Sequence, residues 1–177
     1  MPFKTNEIKV CSYDDRNWIL EEDILYKGKS ETFVVPKGFK TDFASVPAAV
    51  QWLIPSTGRY SQAAIVHDFF CDSLNRAHRR LTDREVPVTA RDADAIFRRM
   101  MRELEVPPLR RYIIWTGVRW GALANPARRK DWWRDAPAVI GWSILSAPVV
   151  LPASILAVVG ITIDRAAEAV VRFFGGR

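Results

Sequence analysis

Ser61-Gln62-Ala63-Ala64-Ile65-Val66-His67-Asp68-Phe69-Phe70 and, further on, Thr89-Ala90-Arg91-Asp92-Ala93-Asp94-Ala95-Ile96-Phe97 decide how this chain is read. In the first stretch Ala63, Val66, His67, Phe70 and Leu74 fall on one stripe at helical spacing, which predicts a helix from about Ser61 to Leu74. His67 then faces the core or a pocket, and Asp68 points about 100° away round the same helix. In the second, Thr89 and Asp92 form a capping-box pattern, with Thr89 as N-cap and Asp92 at N3. The helix it opens, Ala90 to Glu105, carries Ala93, Ile96, Phe97, Met100, Met101 and Leu104 as its apolar face. Asp94 lies at the edge of that face, where it can orient His67 or pair with Arg98 one turn on. The polar interval 75–88 reads as a loop, with His78 solvated in it.

Working towards the N-terminus, residues 6–36 are β-rich. Ile8–Cys11, Trp18–Leu20, Ile24–Tyr26 and Thr32–Val35 are short runs separated by turn signals such as Lys27-Gly28-Lys29-Ser30. They predict a small antiparallel sheet or a pair of hairpins. Pro47 then opens a short helix, Ala48 to Ile54, with Ser45 or Val46 near its cap.

Working towards the C-terminus, Pro107-Pro108 breaks the Asp94 helix and Leu109 to Leu123 forms another. Residues 125–135 read as a basic linker. Its Trp132, Trp133, Arg128, Arg129 and Lys130 suit a lipid–water boundary, where an indole keeps one edge wet and a cation meets headgroups. Residues 136–163 carry no charge, a run longer than the roughly 20 residues that cross a bilayer. Pro137, Pro148 and Pro152 interrupt it, so it is read as a membrane-associated helix or helical hairpin, with a soluble hairpin packed on the domain as the alternative. Residues 164–177 are amphipathic. Arg128, Arg129, Lys130 and Arg134 precede the run, against Arg165, Arg172 and Arg177 after it, which places the N-terminal domain in the cytoplasm. The fold class is thus α+β: a globular domain 1–124, a linker 125–135 and a membrane-associated segment 136–177.

The net charge of +6 favours anionic partners: phospholipid headgroups, nucleic acid or teichoic-type polymers. No nucleic-acid recognition motif accompanies it, so nucleic acid is the weaker choice. Two cysteines make no disulfide framework and fit a reducing compartment. The N-terminus has no charged-then-apolar signal pattern, in keeping with cytoplasmic synthesis. With only His67 and His78, neither a two-histidine zinc helix nor the histidine upstream of an HD-type phosphohydrolase is available. No phosphate-cradling glycine loop is present.

The pattern that remains is a general base with an orienting carboxylate. Asp94 would fix the His67 tautomer and leave the other ring nitrogen to take a proton from water. Asp68 could hold a divalent cation that polarises a carbonyl or phosphoryl oxygen, with Asp42 and Asp72 as additional site residues.

Gly38-Phe39-Lys40-Thr41-Asp42-Phe43-Ala44-Ser45-Val46-Pro47, Ala63-Ala64-Ile65-Val66-His67-Asp68 and Ala93-Asp94-Ala95-Ile96-Phe97 resemble, in order, the blocks of the domain of unknown function 1353 family. The resemblance covers roughly residues 30–122 and implies a phage or prophage origin. The His-Asp pair with a second Asp on the next helix also resembles phospholipase A2. That resemblance implies His67 as the base, Asp68 as a calcium ligand and Asp94 as the orienting group. The sequence departs from it in three respects: no glycine-rich calcium loop, no half-cystine lattice, and Phe69-Phe70-Cys71 where a Tyr often follows. Two functions follow as expectations. One is a phage-derived membrane-associated hydrolase acting on lipid or envelope esters, with calcium as cofactor. The other is a non-catalytic structural or accessory protein, from a tail or a lysis cassette, that meets other phage proteins and docks on the cell envelope; the polar groups then pin two helices together. The location is the host membrane or the virion.

Overall fold

The computed structural model describes all residues except 1, 6, 29–30, 45, 80–87 and 176–177. Its β-rich part holds two small antiparallel sheets. Strands β1 (Val10–Ser12), β2 (Trp18–Leu20) and β5 (Lys40–Thr41) form one, in the order β1-β2-β5. Strands β3 (Ile24–Lys27) and β4 (Thr32–Val35) form the other, with Ile24 opposite Val35 and Tyr26 opposite Phe33. The period-two alternation of β3 decides its orientation: Ile24 and Tyr26 are buried and Lys27 is exposed. β5 falls in the punctuated stretch after Pro36, where two residues are too few for a periodic signal, and it pairs through Trp18 opposite Thr41.

The helical part begins with a 3-10 turn, Ala48–Val50, and a further turn to Ile54, shorter than the expected helix. The proposed cap at Ser45 lies outside the described residues. Helix α1 runs Ser61–His78, four residues past the expected end. The extension corrects the loop reading of 75–78. Arg76 pairs with Asp72 one turn back at 2.8 Å and places a cation on the last turn, where the helix dipole favours it. Exposed His78 is therefore helical, and the remainder of the expected loop, 80–87, lies outside the described residues.

Helix α2, Ala90–Glu103, starts at the expected capping box: Thr89 Oγ1 accepts from the Asp92 N–H, and the Thr89 N–H donates to Asp92 Oδ2. Glu105 turns the chain with φ +58, and Pro107 caps helix α3, Pro108–Ala124. One core lies between β3–β4, α1, α2 and the start of α3, with Tyr26, Val35, Ile65, Val66, Phe70, Phe97, Met100 and Met101 fully enclosed.

Residues 125–135 do not behave as a linker. The Trp132 side chain is buried and its Nε1–H donates to the Arg119 carbonyl at 2.6 Å. With Trp115, Ala122, Ala136 and Val139 it builds a second small core that fastens the start of α4 to α3. The assignments of Trp132 and Arg128 to a lipid boundary are corrected accordingly: both side chains are withdrawn into the protein. Trp133, Arg129 and Lys130 remain on the surface.

Helix α4 is a single element, Ala136–Gly175, with Pro148 and Pro152 inside it, so the hairpin alternative is not adopted. Each proline removes one intrahelical hydrogen bond and sets its ring against the carbonyl one turn back. At about 1.5 Å per residue the helix is roughly 60 Å long. The domain touches α4 through Ala136, Val139, Trp142 and Ser146 and through the 3-10 turn Ala48–Val50, and Val150, Ala153, Ser154 and Ala157 are half-buried along the helix. Ile144, Leu145, Val149, Leu151, Ile155, Leu156, Val159 and Ile163 are exposed. It is long and apolar enough to cross a membrane and is a candidate span.

Candidate functional site

His67 and Asp94 do meet. Periodicity turns His67 into the α1–α2 seam, where its ring stacks on Phe97 with centroids 4.7 Å apart. His67 Nε2–H donates to Asp94 Oδ1 at 2.6 Å. Asp94 is wholly buried, and His67 is 7% exposed.

Two further cations complete the site, and neither was expected. Arg119 on α3 donates through Nη1 to Asp94 Oδ2 at 2.9 Å, and Arg128 donates through Nη2 to Asp94 Oδ1 at 2.8 Å. Arg119 Nη2 also lies 3.2 Å from Asp135 Oδ2, and Asp135 in turn receives Arg91 at 3.0–3.1 Å. The cluster thus ties α1, α2, α3 and the chain just before α4 to one carboxylate. Arg98, the alternative partner for Asp94, instead lies over the Tyr112 and Trp115 rings. Arg119 was legible in principle, since it occupies the stripe of Trp115 and Ala122 at helical spacing. Arg128 sits in a basic run and carries no such signal.

The electrostatics follow from this geometry. Burial disfavours the Asp94 charge, but the hydrogen bond and charge of His67, with Arg128 and Arg119, outweigh it and hold the carboxyl below its usual range. Burial likewise opposes a charged His67, but the Cys71 sulfur and Asp94 raise it to about 9. His67 is then an imidazolium at neutral pH, a proton donor rather than a base. The Cys71 sulfur lies 3.8 Å from Nδ1 and 3.7 Å from Nε2. A thiol aligned on the Nδ1 lone pair would be much farther from Nε2, so the sulfur rests against the ring and not in line with either nitrogen.

Asp68 points away from this seam, as expected. It is partly buried, and burial raises its pKa to about 6; Thr41 donates a hydrogen bond to it, and Asp42 and Asp72 add like charge. Asp72 itself is committed to Arg76. A calcium ion takes six to eight oxygens. Among the described residues no group of three or more His, Cys, Asp or Glu side chains converges to offer such a set. Clefts of about 630 and 460 Å³ open on the surface, and neither is lined by His67, Asp68 or Asp94.

Fold and site together define a small α+β domain with a buried His–Asp–Arg cluster and one long apolar helix. The chain belongs to the family described as protein of unknown function (DUF1353), whose model matches residues 18–118, from β2 to α3. The match takes in His67 and Asp94 and stops one residue short of Arg119. No curated protein and no solved structure matches the chain significantly, and none of these comparisons carries the resemblance to phospholipase A2.

Proposed function

We propose that this chain is a membrane-anchored, non-catalytic accessory protein, and that its His67–Asp94 cluster is a structural lock. The observation that carries this reading is the enclosure of the pair. Among the described residues, Asp94 has no solvent-facing surface, three cations share its two oxygens, and His67 lines neither of the two clefts. Buried ion pairs that converge on one carboxylate fix how the elements bearing them pack, since parting them strands a charge away from water. α4 holds the domain at a bacterial host membrane, on the cytoplasmic side by the flanking cations, with a phage or prophage origin as the family resemblance implies.

The second reading is the calcium-dependent hydrolase acting on lipid or envelope esters. One observation favours it, the 2.6 Å contact between His67 Nε2 and Asp94. It requires a neutral imidazole with water at Nδ1, where the ring now meets the Cys71 sulfur.

The test is release of fatty acid from mixed anionic liposomes by the full chain, with calcium and with chelator, beside the thermal unfolding of His67→Gln. The lock predicts no release and a lowered Tm in the variant. Calcium-dependent release that the substitution abolishes while the Tm stays put would overturn it.

A further inference from the structure

The cleft of about 630 Å³ lies between α2 and the start of α3. Four arginines line it (Arg98, Arg99, Arg102 and Arg111) against two carboxylates, Glu31 and Asp92. Both carboxylates are already engaged. Glu31 bonds Arg99, and Asp92 accepts the N–H and hydroxyl of Thr89 in the capping box. Among the described residues, no carboxylate lies within ion-pair distance of Arg98, Arg102 or Arg111. The cleft therefore presents surplus positive charge, with Ile96 and Tyr112 adding apolar wall.

Its position relative to α4 gives that charge a meaning. Tyr112, in the cleft wall, stacks on Trp142 of α4 at 4.1 Å and 7°. Trp120, eight residues further along α3, donates from Nε1 to Ser143 of α4 at 3.1 Å. Both contacts fall within two residues of Ile144, so α3 meets α4 where its apolar run begins. Beyond these contacts exposed apolar side chains continue from Ile144 to Ile163, with Ile140 exposed before them and Val150, Ala153, Ser154 and Ala157 half-buried among them. The stretch from Ile144 to Ile163 is about 30 Å of helix, the thickness of a hydrocarbon core. With α4 spanning, the Tyr112 wall of the arginine cleft sits at the level where the apolar run begins, which is that of the headgroups.

We infer that this cleft binds a phosphate-bearing anion, supplied by an anionic phospholipid headgroup. Arg98 and Arg102, one turn apart on α2, and Arg111 on α3 would receive the phosphate oxygens, as guanidinium forks match that geometry. The glycerol portion would lie along Ile96 and Tyr112. This inference rests on the membrane reading of α4.

The experiment uses the full chain in neutral detergent micelles, offered phosphatidylglycerol and phosphatidylcholine together, with retained lipid counted by native mass spectrometry. Wild type should keep phosphatidylglycerol preferentially. Arg98→Gln/Arg102→Gln should lose about fivefold in that preference per charge removed. Arg102→Gln/Arg111→Gln, which spares the Arg98 ring contacts, should behave alike. Lys4→Gln/Lys37→Gln, exposed cations of the β-rich part outside the cleft, should retain the preference. Equal loss in that control, an unchanged cleft variant, or saturation by soluble glycerol phosphate with no lipid retained would each overturn the assignment. Anchoring is read separately by flotation on neutral vesicles. A chain that floats but shows no phosphatidylglycerol preference overturns the cleft alone, and a chain that does not float overturns both.

Discussion

Asp94→Asn removes one oxygen's worth of charge from the most enclosed polar site in the domain. The carboxylate takes hydrogen bonds of 2.6, 2.8 and 2.9 Å from His67, Arg128 and Arg119. After the substitution Arg119 keeps Asp135 at 3.2 Å, but Arg128 has no carboxylate within ion-pair distance among the described residues. Removing one partner of a buried pair costs about 3–5 kcal/mol, because the stranded charge stays desolvated. In a chain of this size each kcal/mol moves Tm by about 2–4 °C, so a fall of roughly 10 °C is expected. The assay is near-ultraviolet circular dichroism of the full chain in micelles against temperature. Two companions identify the cause. Asp94→Asn/Arg128→Met should regain about 1 kcal/mol, since the stranded cation is gone. The His67 imidazole, followed by NMR, should titrate lower in Asp94→Asn, because burial then acts without the carboxylate. A Tm within about 2 °C of wild type would refute the lock, since the cost assigned to a stranded buried charge would be missing.

Two further outcomes follow from the same geometry. His67 is raised from 6.5 to about 9, so its stabilising contribution is complete below pH 6.5 and is lost as pH rises through about 9. Asp94 is lowered from 3.8, so its contribution is present above that value and is lost as pH falls through its depressed pKa. His67→Gln should therefore flatten the alkaline limb of a stability–pH curve, and an unchanged limb would count against the imidazolium. The tandem tryptophans should separate: Trp132→Ala, losing a buried ring and a 2.6 Å hydrogen bond, should cost about 3–5 kcal/mol in denaturant melts. Trp133→Ala, 75% exposed, should leave the melt unchanged and weaken vesicle flotation instead. Equal destabilisation by the two would contradict the second core.

Local rules carried much of this fold. Helical spacing put His67 on the buried stripe of α1, Thr89 and Asp92 announced the start of α2, and alternation oriented β3. The uncharged run marked α4 as a candidate span. These features depend on neighbours a few residues away, and sequence holds them directly. It also left His67 and Asp94 as candidates for one another, since each occupies the inner edge of a helix predicted to pack.

The tertiary structure alone decided what that pair is joined to. Arg119 and Arg128 reach Asp94 over 25 and 34 positions of chain and Asp135 reaches Arg119 over 16, and nothing in their own surroundings specifies the partner. The tandem tryptophans divide for the same reason. Their rings share one local context, and only the closure of α3 against α4 makes one a core residue and leaves the other at the surface. Pattern reports which side of an element is apolar. Which charge enters that side, and whether it is sealed or open, is set by desolvation and packing among elements distant in sequence.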